Sequence, residues 1–127
     1  MKSRSSKIII TFVFVIIILA LWGTVQAAEQ YATKLQIDYP TQNQTSRTSL
    51  LVQGWVMSED KDNIVEIYIN NAKVIANATR VARADVLKAI PGYGGSATNP
   101  NPGYKETIDM TGYKDGTYTV KVKVISS

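Results

Sequence analysis

The sequence predicts an all-β protein, a sandwich of short antiparallel strands with one short helix and a long loop inserted between them. Two observations carry that expectation. Short runs alternate apolar and polar residues with a period of two, the pattern of strands buried on one face. Clusters of Asn, Asp, Gly and Pro separate those runs at intervals too short for crossover helices. The absence of cysteine adds that an apolar core, not a disulfide framework, must hold the domain together, which is feasible at about 100 residues.

The first 27 residues do not fit the strand pattern. Lys2, Arg4 and Lys7 precede an apolar run from Ile8 to Trp22, broken only by Thr11, and Val25-Gln26-Ala27 supplies the small residues of a cleavage site. This reads as a secretory signal peptide, residues 1–27. As a helix the run would be roughly 22 Å long, short of the roughly 30 Å hydrocarbon core that a membrane anchor must cross, so cleavage is preferred to retention as an anchor. Residues 28–36 are then a polar tether and the start of the first strand, and 37–127 the folded domain.

The leader also carries most of the charge imbalance. The chain is +4 overall, but three of its 14 basic residues are in the leader, leaving 11 against 10 acidic groups. A nearly neutral domain has no electrostatic footprint for nucleic acid or for an acidic membrane surface, and a membrane partner is expected only with an uncleaved leader. With neither Cys nor His in the chain, zinc sites of the usual kind, a thiol nucleophile and a histidine base are excluded.

Thr33 to Tyr39 alternates, with Leu35, Ile37 and Tyr39 on one face, and Pro40 ends it. Thr41 to Arg47 is a polar turn. Thr48 to Met57 is the second strand, in which Gly54-Trp55 marks a close backbone approach beside a core ring. Ser58 to Asn63 is a charged turn; Glu59, Asp60 and Asp62 lack the glycine and terminal acid of a calcium loop, so a solvated turn explains them. Ile64 to Ile69 and Lys73 to Ala78 form a hairpin about Asn70-Asn71, two residues that tolerate positive φ. Tyr104 to Asp109 is a short strand. Thr117 to Ile125 is a strongly amphipathic one with Val120, Val122 and Val124 inward and Lys121 and Lys123 outward.

Between the hairpin and the last strands lies the stretch on which function is expected, Arg80 to Tyr104. Ala82 to Ile90 predicts a helix with Val86, Leu87 and Ile90 facing the sheet, stopped by Pro91. Asp85 sits near the helix start, and its pairing with Arg80 or Arg83 would anchor the loop. Two Pro-Gly-Tyr triplets, 91–93 and 102–104, bracket an irregular segment with four glycines. Tyr93 and Tyr104 are candidates to stack on sugar rings while Asn99 and Asn101 supply hydrogen bonds. The alternative is that both rings fold inward and pin the loop ends.

The strand count and spacing fit a β-sandwich of immunoglobulin or fibronectin type III kind. The order of its signals, Gly54-Trp55, the VEIYIN hairpin, Arg83-Ala84-Asp85-Val86, Pro91-Gly92-Tyr93, Gly103-Tyr104 and Asp115-Gly116-Thr117-Tyr118, resembles the bacterial immunoglobulin-like accessory modules of cell-wall hydrolases in Firmicutes. The resemblance spans about residues 37 to 125 and implies a non-catalytic module outside the cell; it transfers no ligand residues. Such modules usually add a further strand, so the last edge strand is expected to be missing and Thr117 to Ile125 to lie open. A proline at position 119 or 121 is expected to block any contact made there.

Asp85, Glu106 and Asp109 are the acidic groups near the loop, and nothing sets two of them at the separation that glycoside hydrolysis needs. The expectation is therefore a non-enzymatic module without cofactor or metal, binding wall polysaccharide or peptidoglycan through Tyr93, Asn99, Asn101 and Tyr104. The alternatives are a spacer or protein-interaction module using the open edge, or a truncated remnant of a hydrolase.

Overall fold

The computed structural model describes residues 31–127 in full and residues 8–17 as backbone. Among these it has the strands β1 (Ile8–Ile17), β2 (Lys34–Tyr39), β3 (Gln44–Ser46), β4 (Ser49–Met57), β5 (Ile64–Ile69), β6 (Ala72–Ile75) and β7 (Arg80–Val81). The short helices α1 (Ala84–Ala89) and α2 (Gly95–Thr98) follow, then β8 (Gly103–Asp109) and β9 (Gly116–Ile125). One sheet runs β3-β1-β9-β5-β6 and the other β2-β4-β8-β7. Every pairing is antiparallel except that of β1 with β9. The molecule is an all-β sandwich, as its alternating runs require.

The inward residues of both sheets form one core. Leu50, Val52 and Val56 of β4 meet Val65 and Ile67 of β5 and Val120 and Val122 of β9, all fully buried, with Leu35, Ile37, Tyr104 and Ile108 in the same cluster. Burying each such aliphatic side chain contributes about 1.5–3 kcal/mol before the entropy of ordering it is set against it. Gly54 permits the tightest approach: a Cβ there would lie 1.9 Å from the Gln36 carbonyl oxygen and 2.6 Å from the Tyr104 hydroxyl. The glycine is what lets β2, β4 and the Tyr104 side chain share that space.

The β5–β6 turn is the expected two-residue one, with Asn70 at φ 50 and Asn71 at φ 69. Elsewhere local detail departs from the alternation. Tyr39 does not share the buried face with Leu35 and Ile37; a register shift follows Ile37, and Tyr39 is 45% exposed. The polar stretch 41–47 contains β3, whose partner is β1. The return strand of the hairpin ends at Ile75, two strand residues return at β7, and the helix is shorter than 82–90. Trp55 is half-buried on the outer face of β4 and packs beside the main core, not within it.

The largest departure concerns the segment expected to be a leader. Its residues 8–17 form β1, lying parallel to β9 over the full length of both, from Ile8 opposite Gly116 to Ile17 opposite Ile125. The edge expected to be open is therefore occupied by the chain's own N-terminal segment. Lys2, Arg4, Lys7, the end of the apolar run, the expected cleavage site at Val25-Gln26-Ala27 and residues 28–30 of the expected tether lie outside the described residues.

Candidate functional site

The loop stretch sits on the outer face of the β2-β4-β8-β7 sheet over a second, smaller apolar cluster. Met57, Val86 and Tyr93 are buried there, with Tyr31, Trp55, Leu87 and Ile90 packed around them. Val86 falls on the covered side of α1 because the helix begins just after Arg83, which turns its own side chain back onto β2. The Arg83 Nε and Nη2 donate to the two oxygens of Asp85, both at 2.9 Å, and Nη1 donates to Asp38 Oδ2 at 3.0 Å. The carboxylates hold the guanidinium pKa above its usual value, and Arg83 holds that of Asp85 below the usual carboxylate range. Of the two anchor pairings considered for Asp85, the geometry makes the one with Arg83.

Three of the four residues expected to face a sugar are inside. Tyr93 is 2% exposed; its hydroxyl donates to the Ala32 carbonyl at 2.8 Å, and its ring meets Tyr31 edge-on at 5.2 Å. Gly92, at φ +105, leaves room for the Tyr31 ring, which a Cβ would meet at 2.5 Å. The chain is thus fastened to the loop from Tyr31 onward, where a free tether was expected. Asn99 is 3% exposed: its Nδ2 donates to the Tyr93 carbonyl at 2.9 Å, and its Oδ1 accepts the Ser58 N–H at 3.2 Å. Tyr104 belongs to the main core and donates to the Gln36 carbonyl at 2.9 Å, and burial pushes its phenol pKa well up. The rings fold inward because each phenol finds a backbone acceptor at the bottom of an apolar site. Of that set, Asn101 alone is exposed.

Asn101 borders a small open pocket of about 130 Å³ at the foot of the loop, together with Lys61, Thr98, Asn63 and Arg80. Arg80 is the floor. Its Nε donates to the Gly103 carbonyl (3.1 Å), Nη1 to Asn63 Oδ1 (2.8 Å) and the Asn63 carbonyl (3.2 Å), and Nη2 to the Pro102 carbonyl (3.3 Å). These bonds tie the start of β5 to the start of β8. Lys61, Asn63 and Thr98 were not legible as site residues: Lys61 stands in a charged turn that a solvated loop explains, and only the fold brings it to Arg80.

The three acidic groups near the loop are each engaged locally. Asp85 pairs with Arg83; Glu106 Oε2 accepts the Thr79 N–H and hydroxyl at 2.7 and 2.9 Å; Asp109 Oδ1 accepts those of Thr111 at 2.9 and 2.7 Å. Among the described residues, no group of three or more acidic side chains is placed to hold a metal, and no helix is long and apolar enough to cross a membrane.

The second candidate surface is the β9 edge that β1 covers. The Asn70 N–H donates to the Thr119 carbonyl at 2.9 Å, and the Thr119 N–H donates to Asn70 Oδ1 at 2.8 Å. Backbone groups alternate sides along a strand. Thr119, Lys121 and Lys123 therefore address β5, whereas Tyr118, Val120, Val122 and Val124 present their N–H and C=O groups to β1. A proline at 119 or 121 would break the β5 ladder and leave the outer edge intact, contrary to expectation. On the outward face, Lys121 and Lys123 each stand 5.0 Å from the centre of the Tyr68 ring.

The chain matches no protein-family model, and no curated protein or solved structure matches it.

Proposed function

We propose that the chain is an exported, non-catalytic module of the bacterial cell surface, of the immunoglobulin-like kind, that associates with a partner protein by accepting a strand along the edge of β9. The observation that carries this reading is the register of β1: an apolar, β-branched and aromatic segment lies parallel to β9 over all ten residues of each. The inward valines of β9 already complete the core with β5 and β4, so an added strand has only to supply backbone partners and a compatible face, which is the chemistry of β-augmentation. The same residues 8–17 carry the apolar run of a signal peptide. Once that segment is removed, the edge is vacant, and the occupant proposed is an extended Ile-, Val- and Phe-rich segment of another protein running parallel to β9.

The test compares amide hydrogen exchange in the full chain and in a chain beginning at Tyr31. The short form is expected to exchange fast at Tyr118, Val120, Val122 and Val124 and slowly at Lys121 and Lys123, and a lysine-flanked peptide of residues 8–17 is expected to restore protection at the first four. Equal protection in both forms, or no response to the peptide, would sink the reading. The wall-polymer reading loses its stacking platform with the burial of Tyr93 and Tyr104; what favours it is the pocket beside Asn101.

A further inference from the structure

Arg80 is a permanent cation placed half inside the protein with only neutral partners. Its four hydrogen bonds go to three backbone carbonyls and one side-chain amide oxygen, and the ion pairs among the described residues belong to Arg83 and Lys73. Burial pulls its pKa below the usual arginine value, with no carboxylate to offset it. Removing a charge from water without a counter-charge is costly, and carbonyl dipoles recover only part of that cost. A guanidinium has five N–H groups, so four acceptors leave it one short.

The pocket over this cation is equally one-sided. Lys61 lines it and is exposed, Asn63, Thr98, Asn99 and Asn101 are its neutral polar side chains, and no acidic side chain lines it. In the adjoining turn Asp60 is engaged elsewhere: it accepts the Asp62 N–H at 2.9 Å and the Ser127 N–H at 2.7 Å. Two cations and four neutral polar side chains thus line a concavity of about 130 Å³, room for one small polar group and not for a sugar ring with its substituents.

We infer that the Lys61–Arg80–Asn101 pocket binds a single oxyanion group, a carboxylate or a phosphate, presented at the end or on the side of a larger molecule. The one guanidinium N–H that the clamp leaves over can donate to one oxygen of such a group and the Lys61 ammonium to another, so the two cations share the charge of a single oxyanion. The site lies where the start of β5 meets the start of β8, away from the side of β9 that faces β1, and stands independently of the strand reading.

The experiment is NMR titration of the isotope-labelled full chain with acetate, with methyl phosphate, and with chloride at matched ionic strength. The first two separate a carboxylate source from a phosphoryl source. Saturable shifts at the Asn101 side-chain amide, the Thr98 amide and the Arg80 Nε–H, with either oxyanion and not with chloride, are the expected result. Lys61→Glu changes an exposed residue, leaves the Arg80 clamp intact, and is expected to weaken binding about tenfold or more by placing a like charge beside the ligand. Shifts that chloride reproduces, or an affinity indifferent to Lys61→Glu, would overturn the proposal.

Discussion

Gly54 and Tyr104 act as one unit. The hydroxyl of Tyr104 and the carbonyl of Gln36 meet across the space a Cβ at position 54 would fill. Gly54→Ala is expected to lower stability by about 3 kcal/mol, the upper end of overpacking costs, because the nearest neighbour is backbone and cannot swing away. Tyr104→Phe keeps the ring and loses one hydrogen bond, so about 1 kcal/mol is expected, to be read with the glycine variant from urea unfolding midpoints. Tyr104→Ala would remove a core ring at a cost of about 3–5 kcal/mol. Double replacement of Tyr93 and Tyr104 therefore tests folding, not binding. Glu66 supplies the acid-side prediction. Its carboxyl is held below the usual range by hydrogen bonds from Lys73 and Tyr68. A depressed folded-state pKa means the carboxylate adds stability above its unfolded value near pH 4.3, which is lost as pH falls through the folded value. In Glu66→Gln the loss of stability on acidification below about pH 4.3 should be shallower than in the parent, as followed by thermal melts across pH 3–6.

At the scale of elements, α1 is too short to persist alone, and two features hold it: Val86 against Met57 and Tyr93, and the Arg83 bridge to Asp38 of β2. Arg83→Met should leave the sandwich nearly as stable, since half-exposed ion pairs contribute about 0–1 kcal/mol, yet speed trypsin cleavage at Lys88. An unchanged cleavage rate would mean that the apolar cluster holds the helix alone. This division explains what the sequence revealed. Strands with one buried face, such as β4 and β9, announce themselves by alternation, and Asn70-Asn71 announces its turn by residue type. The loop could not be read so far, because Tyr93 and Tyr104 have the same composition whether they face sugar or core. What decides is the acceptor each phenol reaches, Ala32 and Gln36, both more than 60 residues away in sequence. The pocket was invisible for the same reason: Lys61 and Arg80 are ordinary surface residues until β5, β7 and β8 assemble. The segment 8–17 shows the converse. Its apolar, β-branched run satisfies the pattern of a leader and that of a buried strand equally well, and periodicity cannot separate them.

For the whole molecule, the sandwich carries two separate candidate surfaces: the side of β9 that faces β1, and a cationic hollow under the loop where the start of β5 meets the start of β8. Variants of one should leave the other unaffected, as sites without shared partners usually behave additively. Lys61→Glu should not alter protection at Val120 or Val122, and removal of residues 8–17 should not alter the oxyanion shifts at Asn101. Consider finally the parallel pairing of the first strand with the last. β9 leaves the ribosome about a hundred residues after β1, an interval of roughly 5–20 s at about 5–20 residues per second. For all of that time β1 lacks its β9 partner and has only the three residues of β3 to pair with, and whatever takes hold of the rest of it meanwhile wins by arriving first, whichever state is the more stable. Translation speed, a quantity set outside the folded protein, would then govern how many molecules close on themselves and how many leave the edge for another chain.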